Sequence, residues 1–179
     1  MESNKLSLAL PVRMGIIIGL GYCILIYCQN QFLYQSPIEF GFAKTIGFLL
    51  VVGGYAFTAY LSKQRLGGYI TFREALRAIL VTIVITEIIY LIFNTLYVKV
   101  LDPGFFDRVK TAWLAYFQSK KVPQQVIDQN MARFNDAGKI TTGSLIQSLG
   151  FSIIIDAVFG VVIAALIKKN PPETLNQTT

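Results

Sequence analysis

Four long apolar stretches, separated by shorter polar segments, dominate the pattern along the chain. They cover about residues 12–32, 40–61, 76–98 and 144–167. Each holds roughly 20 residues, which is the length that an α-helix needs to cross the hydrocarbon core of a bilayer. The pattern predicts an all-α integral membrane protein, a single membrane domain over residues 1–179 with four transmembrane helices.

The first apolar stretch has a cleaved signal peptide as its alternative interpretation. The stretch is longer than the apolar region of a typical signal peptide, and Gln29, Asn30 and Gln31 follow where a small-residue cleavage site would stand. We therefore interpret it as a retained span. Cys23 and Cys28 lie in it at a spacing that points them in different directions, so they indicate packing rather than a metal site.

Glycines at helical spacing predict close packing between spans. Gly15 and Gly19 form a GxxxG pattern in the first span, and such a pattern lets a second backbone approach closely in lipid. Packing within the bundle is the expected role, with a dimer interface as the alternative. Gly53, Gly54 and Gly160 are further predicted packing positions.

The third span opens on a helix-start signature. Thr71 precedes Glu74 by three positions, as in a capping box, where the Thr hydroxyl accepts from the Glu backbone N–H and the Glu carboxylate accepts from the Thr backbone N–H. The sequence thus predicts a capped helix that begins just after Thr71.

The connector at about 102–140 predicts a helical hairpin. Asp102-Pro103 marks the expected start of its first helix, Pro123 that of its second, and Gly138 the end of the second. An apolar stripe at near-helical spacing runs along the first helix: Phe106, Val109, Trp113 and Phe117. We expect this hairpin to cap the ends of the spans, with a docking surface for another protein as the alternative. The tail at 170–179 is expected to be mobile.

Composition agrees with a membrane protein and weakens most enzyme hypotheses. Apolar residues make up 54% of the chain and charged residues 15%, and the mean hydropathy is +0.54. The chain contains no histidine, which removes the commonest metal ligand and general base. We expect no cofactor, no metal and no catalytic residue, and the absence of a dense basic cluster gives no support for nucleic-acid binding.

The basic residues predict the orientation in the membrane. Eight of the 16 Lys and Arg residues fall on one side of a four-span arrangement: Lys5, Arg13, Lys63, Arg65, Arg73, Arg77, Lys168 and Lys169. The short loop on the other side holds only Lys44, and the long connector is set aside because long segments translocate largely regardless of charge. Both termini are therefore expected to be cytoplasmic, which makes the hairpin extracytoplasmic.

Two carboxylates inside the spans are the candidate functional residues. Glu87 lies ten positions after Arg77, and Asp156 lies twelve before Lys168, which places both at about 15–18 Å from the same boundary. If the third and fourth spans face each other, the two carboxyls meet. The candidate polar cluster adds residues on the same helix faces: Tyr90, Asn94, Ser148 and Ser152.

This cluster has two alternative roles. No Lys or Arg shares its depth, so we expect at least one carboxyl to carry a proton, because two facing negative charges in a low dielectric repel strongly. A neutral carboxyl can join helices by hydrogen bonds as a structural clasp. Alternatively, the pair exchanges a proton or a cation with the outside. An intramembrane aspartyl protease is disfavoured, because Ile153, Ile154 and Ile155 precede Asp156 where that class has Gly-x-Gly.

The chain resembles the domain-of-unknown-function 4199 family of small bacterial membrane proteins over nearly its full length. The resemblance rests on the segment 67–75 before the third span, on 97–103 after it, on the helical connector, and on 163–171 with Lys168 and Lys169. It implies a four-span protein of the bacterial inner membrane without an established activity, and it assigns no functional residue.

Together these features predict a non-enzymatic structural, accessory or assembly component of the membrane. The alternative is a small proton- or cation-coupled permeation unit that uses the carboxylate pair. The expected partners are the lipid bilayer and either a second copy of the chain or another membrane protein.

Overall fold

A computed structural model of the protein describes residues 7–137 and 141–170, without the side chains of 133–137 and 142. The regular structure within these residues is helical, with α1 (Ala9–Phe32), α2 (Pro37–Arg65), α3 (Phe72–Leu96), α4 (Phe105–Ser119), α5 (Gln124–Ala137) and α6 (Thr142–Ile167). A π-helical turn, Tyr97–Leu101, continues α3. The helix end predicted at Gly138 and the tail from 171 onward lie outside the described residues.

Four of these helices are long and apolar enough to cross a bilayer: α1, α2, α3 together with its π-helical turn, and α6. The chain is thus a multi-pass membrane protein. Three of the helices, α1, α2 and α3, begin three or four residues before the predicted apolar stretches. In α2, for example, the Ser36 hydroxyl accepts a hydrogen bond from the Glu39 backbone N–H at 3.4 Å, and the helix begins at Pro37.

The helix α3 lies at the centre of the bundle and packs against α1, α2 and α6. Its start contains both bonds of a capping box. The Thr71 hydroxyl accepts from the Glu74 backbone N–H at 3.3 Å, and the Glu74 carboxylate accepts from the Thr71 backbone N–H at 2.9 Å. The central helix therefore has a well-defined beginning.

The end of the bundle where α3 begins and α6 finishes is called the basic end here. Backbone hydrogen bonds of 2.9 Å join Ile70 and Lys169 in both directions. The Lys63 ammonium donates to the Ile167 carbonyl at 2.9 Å. These contacts fasten the connection between α2 and α3 to the end of α6.

The opposite end, called the hairpin end, is covered by α4. A hydrophobic cluster joins the end of α3 to α4. Its buried residues are Tyr97, Val98, Phe105 and Val109. The residues that pack against them come from α2, α3, α4 and the connection between α1 and α2: Tyr34, Phe40, Phe93, Phe106 and Trp113. The Trp113 indole N–H donates to the Tyr34 carbonyl at 2.9 Å. Beyond α4, α5 returns alongside it, with Ile127 buried. The apolar stripe of α4 thus packs onto the span ends.

Candidate functional site

Glu87 lies on the buried face of α3, with 7% of its surface exposed. Five residues earlier, the Thr82 hydroxyl donates to the Pro11 carbonyl of α1 at 3.2 Å, and directly before Glu87 the Thr86 hydroxyl donates to the Gly15 carbonyl at 3.3 Å. These bonds fix the rotation of α3 against α1. Because neighbouring side chains on a helix are about 100° apart, Glu87 is turned away from α1 and toward α6.

Asp156 is the buried carboxyl of α6 and is bonded to α2. The Tyr55 hydroxyl donates to its Oδ2 at 2.7 Å. Tyr55 is fully buried and Asp156 is 4% exposed. A short bond between two buried groups on different spans joins α2 to α6 within the membrane-spanning part of the chain.

Glu87 and Asp156 lie beside each other, and Glu87 also lies close to Ser152. Two neighbouring carboxylates repel each other strongly in a low dielectric, so a proton on one of them favours this arrangement. The three side chains Tyr55, Glu87 and Asp156, called the buried clasp below, connect α2, α3 and α6 at one depth.

Two more tyrosines border the clasp on its side toward the hairpin end. Tyr22 of α1 and Tyr90 of α3 have ring centroids 5.2 Å apart, and both rings lie within electrostatic reach of Glu87. Tyr90 and Asn94, predicted to share a face with Glu87, are half-buried. Aromatic or polar side chains from all four spans therefore lie in or next to the clasp.

The serine row of α6 departs from the predicted polar face. Ser152 is half-buried next to the clasp, whereas Ser148 and Ser144 are exposed. The reason is geometric, since residues four apart are offset by about 40° around a helix. Two or three such steps carry Ser148 and Ser144 about 80° and 120° away from Asp156. Ser148 therefore points away from Asp156, and its assignment to the polar cluster stays a prediction.

On the other side of the clasp, toward the basic end, the contact between α3 and α6 is apolar. A Cβ at Gly160 would stand 2.9 Å from Ile79 Cγ2, and Ala164 and Ile83 are fully buried. Small residues on α6 thus allow the two helices to approach closely. Small and apolar side chains therefore close the clasp on this side.

The sequence did not assign Tyr55 to the site, because a tyrosine in a span is commonly an interfacial residue. A signal for its burial exists in α2. Its buried residues recur at three- and four-residue spacing: Gly47, Val51, Tyr55, Thr58, Ala59 and Ser62. This row predicts one inward face and places Tyr55 in the middle of it.

Most of the predicted packing glycines lie at close helix contacts. A Cβ at Gly15 would stand 2.8 Å from Ile85 Cβ, one at Gly19 3.1 Å from Ile89 Cβ, and one at Gly54 2.9 Å from Ile18 Cδ1. The GxxxG pattern of α1 therefore packs on α3 within the chain.

Gly53 is the exception among these glycines. It is exposed, and a Cβ built on it meets nothing within 4 Å. Neighbours on a helix point about 100° apart, so Gly53 and Gly54 cannot both face α1. The prediction that Gly53 is a packing position within the chain is wrong.

A second polar network lies at the hairpin end, just beyond α3. The Arg108 guanidinium donates to both carboxylate oxygens of Asp102, and the Tyr97 hydroxyl donates to Asp102 Oδ2 at 3.1 Å. Hydrogen bonds from Arg108 hold the pKa of the Asp102 carboxyl below its usual range. Asp102 thus bonds α4 to the end of α3, and α4 begins at Phe105 rather than at the predicted Asp102-Pro103.

The clasp can donate, accept and hold a proton, but it does not form a cluster of metal ligands. In the part of the chain that the structure describes, no group of three or more His, Cys, Asp or Glu side chains could hold a metal ion. The carboxyl, phenol and hydroxyl groups of the clasp can form hydrogen bonds and exchange protons.

Comparison with known proteins identifies the family. A model of the family described as "Protein of unknown function (DUF4199)" matches residues 13–169. Neither the curated proteins nor the solved structures gave a match. The family match spans all four membrane helices and the hairpin between them. The resemblance noted from the sequence is confirmed, and the chain belongs to the DUF4199 family.

Proposed function

We propose that the protein is a non-enzymatic structural or accessory component of the bacterial cytoplasmic membrane, whose bundle is held together by the buried clasp. The observation that carries this proposal is the 2.7 Å bond from the Tyr55 hydroxyl to Asp156, next to Glu87. All three side chains are at least nine-tenths buried. A cluster that satisfies its own hydrogen bonds inside a bundle stabilises the association of helices.

Burial also argues against catalysis at this position. A general acid or base has to come within hydrogen-bond reach of a substrate atom. Tyr55, Asp156 and Glu87 are 0%, 4% and 7% exposed, so a substrate would have to separate the spans to reach them. We assign no catalytic residue to the chain.

The orientation follows from charge. Exposed basic residues gather at the basic end, and short flanking segments rich in Lys and Arg stay on the cytoplasmic side. We therefore place the basic end, and with it both termini, in the cytoplasm. The hairpin of α4 and α5 then lies outside the cytoplasm.

Replacements that keep or remove the hydrogen bonds test the structural role. Glu87→Gln and Asp156→Asn keep polar groups of the same shape, so the free energy of unfolding in detergent micelles should change by less than about 1 kcal/mol. Asp156→Leu leaves the Tyr55 hydroxyl buried without an acceptor, which costs roughly 1–3 kcal/mol. If the polar and the apolar variants unfold alike, the clasp does not hold the bundle.

The second candidate function is proton- or cation-coupled permeation. It is favoured by the proximity of two buried carboxyls on neighbouring spans, since intramembrane acids serve as proton relays in transporters. Liposomes with an internal pH dye and a membrane potential would separate the two roles. If the wild type conducts protons or cations and the double variant Glu87→Gln with Asp156→Asn does not, permeation replaces the structural proposal. Equally low flux in the wild type and the double variant supports the structural proposal.

A further inference from the structure

A rim of exposed cations surrounds the basic end of the bundle. One or two of them come from each of the four spanning helices or from the residue that follows: Arg13, Arg65, Arg73, Arg77 and Lys168. Arg65 ends α2, Arg73 is the second residue of α3, and Lys168 follows α6 directly. We call these five side chains the basic rim.

Other charged side chains at this end form contacts that stabilise the fold, whereas those of the rim do not. Lys63 donates to the Ile167 carbonyl, Lys169 stands 5.2 Å from the centre of the Tyr69 ring, and Glu74 closes the capping box. Among the described residues, no member of the rim forms an ion pair. The described chain therefore supplies no ion-pair partner to the rim, because the nearby Glu74 carboxylate, between Arg73 and Arg77 in the sequence, is bonded to Thr71.

Two members of the rim repel each other within one helix. Arg73 and Arg77 are four residues apart on α3, so their side chains lie on one side of the helix, one turn apart. Like charges at this spacing destabilise a helix by a few tenths of a kcal/mol. An external anion between them would remove this repulsion.

The position of the rim favours a lipid headgroup as the source of that anion. Its residues stand at the ends of membrane-spanning helices, which is the depth of the lipid headgroups. Arginine guanidinium groups bind phosphate oxygens in a bidentate manner. The charges are distributed around a bundle end over four helices, and lipids that surround the bundle can contact all of them.

We infer that the basic rim binds acidic phospholipids through their phosphodiester groups. The inference is independent of the function of the clasp. Phosphatidylglycerol carries a net negative charge and can neutralise the cations of the rim. Phosphatidylcholine is zwitterionic, because its choline group carries a positive charge that offsets the phosphate. Each cation near an anionic surface contributes roughly a fivefold gain in affinity.

Titration of the purified protein with each lipid, followed by native mass spectrometry, tests the inference. The wild type should retain phosphatidylglycerol in preference to phosphatidylcholine. Arg73→Gln combined with Arg77→Gln should lower the affinity for phosphatidylglycerol by roughly 25-fold, at about fivefold for each cation. The matched control is Lys120→Gln with Lys121→Gln, which removes two exposed cations near the end of α4.

Three outcomes would overturn the inference. Equal retention of both lipids would show that the rim does not select charge. An equal loss in the control would show that net charge alone decides binding. Displacement by inorganic phosphate at constant ionic strength would assign the site to a free anion rather than a lipid. Thermal unfolding of both double variants checks that each is folded.

Discussion

Substitution of Gly15 by alanine measures how tightly α1 packs on α3. The new methyl group would stand 2.8 Å from Ile85 Cβ and 3.0 Å from the Thr82 carbonyl oxygen. Both contacts are too short to persist, and neither atom is the free end of a flexible side chain, so the two helices have to separate. Overpacking of this kind costs about 1–3 kcal/mol.

The helix preference of alanine works in the opposite direction and must be subtracted. Alanine favours a helix over glycine by about 1 kcal/mol. Gly21 supplies the matched control, since it lies in α1 as well, is exposed, and a Cβ there meets nothing within 4 Å. The difference in stability between Gly21→Ala and Gly15→Ala should therefore be about 1–3 kcal/mol, with Gly15→Ala the less stable.

The assay is reversible unfolding in mixed micelles with increasing sodium dodecyl sulfate, followed by circular dichroism. Gly53→Ala is a second control at an exposed position of α2 and should behave like Gly21→Ala. If Gly15→Ala is as stable as both controls, α1 and α3 do not pack through this glycine, and the reasoning from the close contact is wrong.

Two further predictions concern the ends of α3. Hydrogen bonds from Arg108 depress the pKa of Asp102. The stabilisation of the hairpin should therefore be complete above the pKa of Asp102 in the unfolded chain, about 4, and should be lost as the pH falls through its pKa in the folded chain. The fluorescence of Trp113, the one tryptophan in the chain, should report this loosening, and Asp102→Asn should abolish the pH dependence. Thr71→Ala removes the capping hydroxyl and should destabilise the protein by about 1 kcal/mol; Thr71→Ser should restore most of this loss in the same unfolding assay.

The depth of the two carboxyls could be predicted from the sequence because it depends on one quantity, the rise per residue along a helix. Counting from Arg77 and Lys168 places Glu87 and Asp156 at the same level, and the structure has them beside each other. The capping box at Thr71 is equally local, since both of its bonds form within four residues.

Rotation around the helix axis was harder to predict than depth. Ser148 was assigned to the face of Asp156 although its offset from that residue grows by about 40° with each step of four residues. Gly53 and Gly54 are adjacent, and only the contact with Ile18 shows which of the two packs. The partner of Asp156 was missed for a related reason, because the order of the spans around the bundle decides that Tyr55 of α2 reaches α6.

The hairpin end shows a third limit. The apolar stripe of α4 predicted a helix with one packing face, which the structure contains. The ion pair between Asp102 and Arg108 could not be predicted in the same way. It depends on the π-helical turn Tyr97–Leu101, which places Asp102 next to the first turn of α4. Such a turn leaves no clear pattern in the sequence.

A double-mutant cycle between Tyr55 and Asp156 tests the buried clasp most directly. Tyr55→Phe, Asp156→Ala and the double variant would be unfolded in mixed micelles, with Tyr60→Phe as a control for loss of an exposed hydroxyl. We expect a coupling energy of about 0.6–2 kcal/mol for Tyr55 with Asp156, and none for Tyr60 with Asp156. A coupling energy near zero for the first pair would contradict the account of a clasp that joins α2 to α6.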